Sequence, residues 1–243
     1  MNRWYLVVAV ALCVVLVVAA HFSNLYIVSK HNTADPMRYG SHLEPAYTAQ
    51  DAASVHDNRE SIYQTVYAEA YGKDVLVREH EESSFMPSDD MVFLKKNGGK
   101  FVIVYLHVDR PLIVYSSAAW MSDLRPAHLD PADYHDVKPR RCEIEISPVL
   151  AKSIVADWHA VLMQTRYDTH PRQGMDGSNY EFSMPTDQRE LAGQIWTPDV
   201  DTSPGMLVAV AHDMAGYCIK KSQETKARLT AAVDEISREM DTP

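Results

Sequence analysis

The run Trp4–Ala20, WYLVVAVALCVVLVVAA, carries no charge and no strongly polar side chain. A helix that is apolar on every side has no face to turn to water, so the run does not read as a surface helix of a globular core. Extended through HFSNLYIV to Val28, it reaches the roughly 20 residues that cross a bilayer. Arg3 and the α-amino group precede it, and Val18-Ala19-Ala20 supplies the small residues of a cleavage site, the three-part form of a secretory signal. Residues 1–28 are therefore expected to be a transmembrane signal anchor in the inner membrane, with the rest of the chain in the periplasm. The alternative is a signal peptide cleaved near Ala20, giving a periplasmic or secreted product. Cys13 follows Leu12 inside the run, which does not fit a lipoprotein signal. Arg3 and Lys30 nearly balance across the span, so the orientation rests on the signal-like form and not on a positive-inside count.

Composition narrows the partners. The 243 residues include 46% hydrophobic and 23% charged side chains, with a net charge of −10. Such a chain repels phosphate backbones, so no nucleic acid is expected, and it gains nothing from anionic lipid surfaces. Beyond the leader only Cys142 and Cys218 remain. In an oxidising compartment two cysteines permit one disulfide, and they are too few for a thiolate zinc site. Two buried free thiols are the alternative.

Past the leader, residues 29–58 are polar, contain two prolines and lack a clean period, and read as a linker. Ile62, Tyr63, Val66, Tyr67, Ala70 and Tyr71 repeat at helical spacing, with Gly72 as a stop. Strands are expected at 74–79, 91–96, 100–108 and 111–117, with a hairpin turn at Asn97-Gly98-Gly99. Residues 120–141 read as a long polar loop, a length that is often functional. The second half predicts a strand at 142–147 and then a helix opened by Ser147-Pro148. Asp176-Gly177 turns the chain into a strand alternating Tyr180, Phe182 and Met184, with a partner at 191–198 that includes Trp196. A second helix is opened by Ser203-Pro204. Trp158 and Trp196, with Asp176, Gly177, Tyr180 and Phe182, are expected to be structural. Residues 221–243 give a charged helix with one apolar stripe, Leu229, Val233, Ile236 and Met240. That stripe is expected to pack on the domain or to join two copies through 225–240. The fold class is α+β, an antiparallel sheet with packed helices over 59–220, either as one domain or as sub-units 59–141 and 142–220.

The pattern formed by Trp158, Thr165-Arg166, GMDGSNYEF, AGQIWTPD and LVAVAHDMAGYC resembles a recurring unit in small uncharacterised bacterial envelope proteins. There a Trp-bearing helix precedes a D-G-x-x-Y-x-F strand, a G-Q-x-W-x-P strand and a terminal helix. The resemblance covers about residues 142–220. It implies a structural unit and is compatible with export, but it transfers no activity and no site residue.

Side chains with reactive chemistry are present without a matching motif. His128, Asp130 and His135, with Asp133 and Asp136, have the donor types for a transition metal. Their spacing fits no H-E-x-x-H helix, and a solvated loop is the preferred reading. No cofactor is expected, because the glycines fit no phosphate loop. G-x-S-x-G is missing, and His212-Asp213 sits on an apolar helix. Cys142 and Cys218 occupy core-like positions, which disfavours a cysteine nucleophile. Glu181 beside Arg166, Asp176 or Gln194 could line a carboxylate groove. No catalytic residue is assigned. The expected function is a membrane-tethered or exported, non-catalytic domain that binds another protein, in an immunity- or inhibitor-like role. The alternative is an envelope hydrolase using the 120–141 loop or the carboxylates near 176–194.

Overall fold

The computed structural model describes residues 42–46, 56–83, 88–110, 112, 131–166, 177–186 and 190–240. The expected leader, the strand at 111–117 except Leu112, and the first half of the 120–141 loop lie outside them; the described half holds a short helical turn at Pro131–Tyr134, and the next strand already begins at Arg140. Among the described residues no helix is long and apolar enough to cross a membrane.

Seven strands among the described residues form one antiparallel sheet: β1 (Glu44–Pro45), β2 (Val75–Ser83), β3 (Asp89–Asn97), β4 (Lys100–Val108), β5 (Arg140–Ile146), β6 (Ser178–Pro185) and β7 (Glu190–Trp196). Their spatial order is β1-β7-β6-β2-β3-β4-β5. Among the described residues four helices accompany them: α1 (His56–Val66), α2 (Pro148–Leu162), α3 (Ser203–Lys220) and α4 (Gln223–Met240). The architecture is α+β, as the element pattern predicts. The sheet interleaves both halves of the sequence, with β2 paired to β6 and β4 to β5. Residues 59–141 and 142–220 are therefore not separate sub-units, and 40–243 form one compact unit.

Strand alternation splits the core in two. On β3, Met91 and Phe93 face α1, while Val92 and Leu94 face α2, α3 and α4. On β4, Val102, Val104 and Leu106 face α1, and Ile103 faces the three helices. This is the period-2 pleat of a sheet covered on both sides. The α1 face is filled by Ile62, Tyr63, Val66, Tyr67 and Ala70. The three-helix face is built around Trp158, 0% exposed, whose ring meets Phe182 edge-on at 5.5 Å. A bulge between Val75 and Val77 turns Val75 to one core and Val77 to the other.

Helix starts follow local chemistry. The Ser147 hydroxyl accepts from Leu150 N–H at 3.2 Å, with Pro148 in the first turn. For α3 the cap sits one residue earlier than Ser203: Thr202 Oγ1 accepts from Gly205 N–H at 3.2 Å. Pro204 then occupies the first turn, so the cap-plus-proline device is present but shifted.

The linker is shorter than its composition suggests. Part of the segment read as linker belongs to the sheet: β1 pairs with β7, Leu43 is fully buried, and α1 already begins at His56. Two residues of strand leave no period to read, and the pairing depends on the distant Gly193. A Cβ at Gly193 would stand 2.8 Å from Leu43 Cβ, so the glycine makes the seat for Leu43. The stripe on α4 packs on the domain, one of its two expected placements: Leu229, Val233 and Ile236 are buried within this chain against the three-helix core.

Candidate functional site

The second half of β2, Arg78-Glu79-His80-Glu81-Glu82, is charged yet lies inside the sheet between β3 and β6. The pleat sends Arg78, His80 and Glu82 to the α1 face, and Glu79 and Glu81 to the three-helix face. Each set organises a polar cluster.

On the α1 face, His80 and Asp89 are 5% and 1% exposed, with His80 Nε2 2.7 Å from Asp89 Oδ1. Tyr67 donates its hydroxyl to Asp89, 2.8 Å from its backbone oxygen and 2.9 Å from Oδ1. The Leu112 N–H reaches Asp89 Oδ2 at 3.4 Å. Tyr63 meets the His80 ring edge-on at 4.2 Å. Burial alone would lower the His80 pKa, but the Asp89 charge and hydrogen bond outweigh it and raise it. Beside them Arg78 lies 4.0 Å over the Tyr71 ring and pairs with Glu190 at 2.7 Å. This cluster is closed and fully partnered at its centre, the form of a structural network.

The cluster on the three-helix face is open. Glu81 and Asp90 are direct neighbours across β2 and β3, and Asp90 is opposite His107 on β4. Asp90 accepts from the Tyr105 hydroxyl at 2.8 Å and contacts His107 Nδ1 at 2.5 Å, while His107 Nε2 contacts Asp109 at 2.9 Å. Glu81 accepts from Ser178 Oγ at 2.9 Å and meets His212 Nε2 of α3 at 3.0 Å. The His212 ring stacks edge-on against Tyr180 at 5.8 Å. The His212 side chain is 51% exposed, and those of Asp90 and Glu81 25% and 20%. The result is a partly exposed acidic cluster, with Tyr105 and Tyr180 beside the carboxylates and His212 the most exposed member.

Glu79 lies deepest, 3% exposed, and its Oε1 has no hydrogen-bond partner among the described residues. Burial, with the Glu81 and Asp90 charges, pushes its carboxyl well above the ordinary carboxylate range. Glu81 moves the other way: burial opposes ionisation, but His212, Ser178 and Tyr180 hold it below the usual value. Burial, with the Glu81 charge, drives Tyr180 up to about 12.

The expected site residues fall as follows. His128, Asp130 and Asp176 lie outside the described residues. His135 and Asp136 are exposed beside the short turn Pro131–Tyr134. No group of three His, Cys, Asp or Glu among the described residues is arranged to hold a metal. Cys142 of β5 and Cys218 of α3 form a disulfide, their Cα atoms 6.0 Å apart. Tyr180 and Phe182 are buried, and Trp196 is only half-buried beside Gly177. His212 and Asp213 do not form a unit, since Asp213 pairs with Arg228. Glu181 is opposite Gln194 on the α1 face, across the sheet from Glu79, Glu81 and Asp90, so it does not join these carboxylates. Sequence reading missed Glu79, Glu81 and Asp90, because a run of charges reads as solvated surface. The period-2 continuation from Val77 into Glu79 and Glu81 was the available signal.

Comparison with family models, with curated proteins and with solved structures finds no match to this chain. The site must therefore be read from its own chemistry.

Proposed function

We propose that this chain is an exported envelope domain, held at the inner membrane through residues 4–28, that acts by binding another protein. The partly exposed acidic cluster of Glu81 and Asp90 carries this reading. Its hydrogen bonds to Glu81 and Asp90 are already in place, so a partner meets a preset surface and little ordering cost remains at association. The Cys142–Cys218 disulfide supports an oxidising compartment. An immunity- or inhibitor-like role suits an acidic surface, because complementary charge steers association and excludes wrong partners.

The test has two arms. A reporter fused after Pro243 should be active only outside the cytoplasm, and cytoplasmic activity would remove the export reading. Cross-linking of the tethered chain in intact cells should capture one protein at constant stoichiometry, and the yield should fall when Asp90 and Glu81 are both changed to the amide.

One observation favours a second reading, a hydrolase. Glu79 and Glu81 share a face, and their environments push their pKa values in opposite directions. That split is how an acid and a base are set apart in one site. Turnover of an envelope glycan by the full chain, abolished in Glu79→Gln, would establish it in place of the binding role.

A further inference from the structure

We infer that the open apolar groove between α2 and the sheet receives an amphipathic helix of the protein partner, one whose apolar stripe is flanked by aspartate or glutamate. The inference rests on the binding reading for the existence of a partner. It places the contact at the opposite end of the sheet from Glu81 and Asp90.

The groove has a volume of about 350 Å³. Leu76 of β2, Phe101 of β4, Val155 of α2 and Met184 of β6 line it, and all four are only half-buried. The bulge in β2 leaves Leu76 without a partner on β3 and turns it, with Val77, toward the three-helix face. These side chains still have apolar area to bury. A contiguous apolar patch with a polar rim is the form of a contact surface.

The adjoining outer face of α2 fits a second helix. Val149, Lys152, Ala156, His159 and Met163 recur at intervals of three and four, the spacing of a coiled-coil seam. Val149 is 76% and Met163 62% exposed, and the small Ala156 between them lets another backbone approach. At roughly 1.5 Å per residue the stripe is about 21 Å long. An open groove beside such a stripe matches the helix-in-groove mode, with anchors at i, i+3, i+4 and i+7. A single acyl chain in the same groove would keep one side in water.

Charge sets the kind of helix. The one acidic residue of α2, Asp157, is buried and accepts from Ser237, so the outer face of α2 has no carboxylate. Lys152 and His159 line the groove, and Lys96 stands across from Phe101 on β3. These three side chains make no hydrogen bond or ion pair among the described residues. In a chain of net charge −10, an acidic helix is drawn to such a face and repelled elsewhere, which fixes where it docks. A second copy fits less well. Antiparallel pairing of α2 about Ala156 would set Lys152 beside His159 of the copy, with no acidic side chain between them.

The full chain, with methyl-labelled methionine and held in nanodiscs of zwitterionic lipid, is titrated with a peptide of three Glu-Leu-Ala-Ala-Leu-Glu-Gln heptads. One control peptide has every glutamate changed to lysine, and another every leucine changed to glutamine. The methyl resonances of Met184 and Met163 report the groove and the stripe. Met91, buried on the α1 face, reports fold integrity. The glutamate peptide should shift Met184 and Met163 saturably, leave Met91 unmoved and outbind both controls. Affinity should drop about tenfold or more in Lys96→Glu/Lys152→Glu by charge, and in Ala156→Arg by bulk. No shift with the glutamate peptide, equal binding of the lysine peptide, or unchanged affinity in both folded variants would overturn the inference. So would saturation of both methyls by dodecanoate in place of the peptide, or their shift on raising the protein concentration alone, which would assign the groove to an acyl chain or to a second copy. If the glutamate peptide binds but cross-linking in cells captures no protein, the partner reading fails alone. If one protein is captured at constant stoichiometry and the peptide does not bind, the groove inference fails alone.

Discussion

His80 on β2 and Asp89 on β3 form a charged pair, 2.7 Å apart, in the layer between the sheet and α1. Removing one partner of such a buried pair typically costs about 3–5 kcal/mol. Asp89→Asn should lower stability by that order in urea unfolding, and Tyr67→Phe by less, since it removes one donor. The pH dependence has a definite sign. The folded pKa of His80 is raised, so its contribution is full below about 6.5, the ordinary histidine value. It is lost as pH climbs through the raised folded pKa. His80→Gln should flatten the stability profile above neutrality.

Glu79 predicts a gain. Its folded pKa is raised, so the unfolded chain releases the proton first as pH rises. Stability therefore falls from about pH 4.3, the ordinary glutamate value, up to the folded pKa. Glu79→Gln removes this dependence and should stabilise the protein at pH 7–8 by roughly 1–3 kcal/mol. Loss of stability at that pH would show that the carboxyl has a partner the described residues do not contain.

These two residues show where the sequence was readable. Apolar alternation on β3, β4 and β6 marked strands close to their observed bounds, and Ser147-Pro148 marked the start of α2. β2 was read only to Glu79, because His80-Glu81-Glu82-Ser83 has poor strand propensity and its burial depends on neighbours from β3, β6 and α3. The acidic cluster was illegible for the same reason. Glu81 and His212 are 131 residues apart, and no local spacing encodes a contact made by sheet register and helix placement. Cys142 and Cys218 could be named as candidates by elimination, but their approach is set by α3 crossing β5.

Reducing the Cys142–Cys218 bond opens a covalent loop with a sequence separation of 76. The chain-entropy relation puts the effect near ~4.5 kcal/mol. The double variant Cys142→Ala/Cys218→Ala should unfold at markedly lower urea than the oxidised protein and be indifferent to reductant. Equal midpoints with and without reductant for the wild-type chain would contradict the bond.

Gly193 tests the placement of β1. An added Cβ would meet Leu43 Cβ at 2.8 Å and Thr165 Oγ1 at 2.9 Å. Gly193→Ala should cost about 1–3 kcal/mol by overpacking. Pairing it with Leu43→Ala should recover part of the loss, a non-additivity expected of residues in contact.

The two tryptophans should differ. Trp158, fully buried against Phe182, should cost about 3–5 kcal/mol when cut to Ala. Trp196 is half-buried and should cost less. Urea midpoints of the two single variants give the comparison.

The strand order gives the disulfide loop an unusual hold on the rest of the domain. Among the described residues, 142–218 contribute most of β5 on one side of the β2–β3–β4 meander and β6 with β7 on the other. The covalent ring thus grips the earlier part of the chain from both flanks, through the β2–β6 and β4–β5 ladders. A single cut between residues 113 and 130 would not release either fragment. The two pieces would remain a clasped complex, and separately made pieces, 1–120 and 121–243, should reassemble into it.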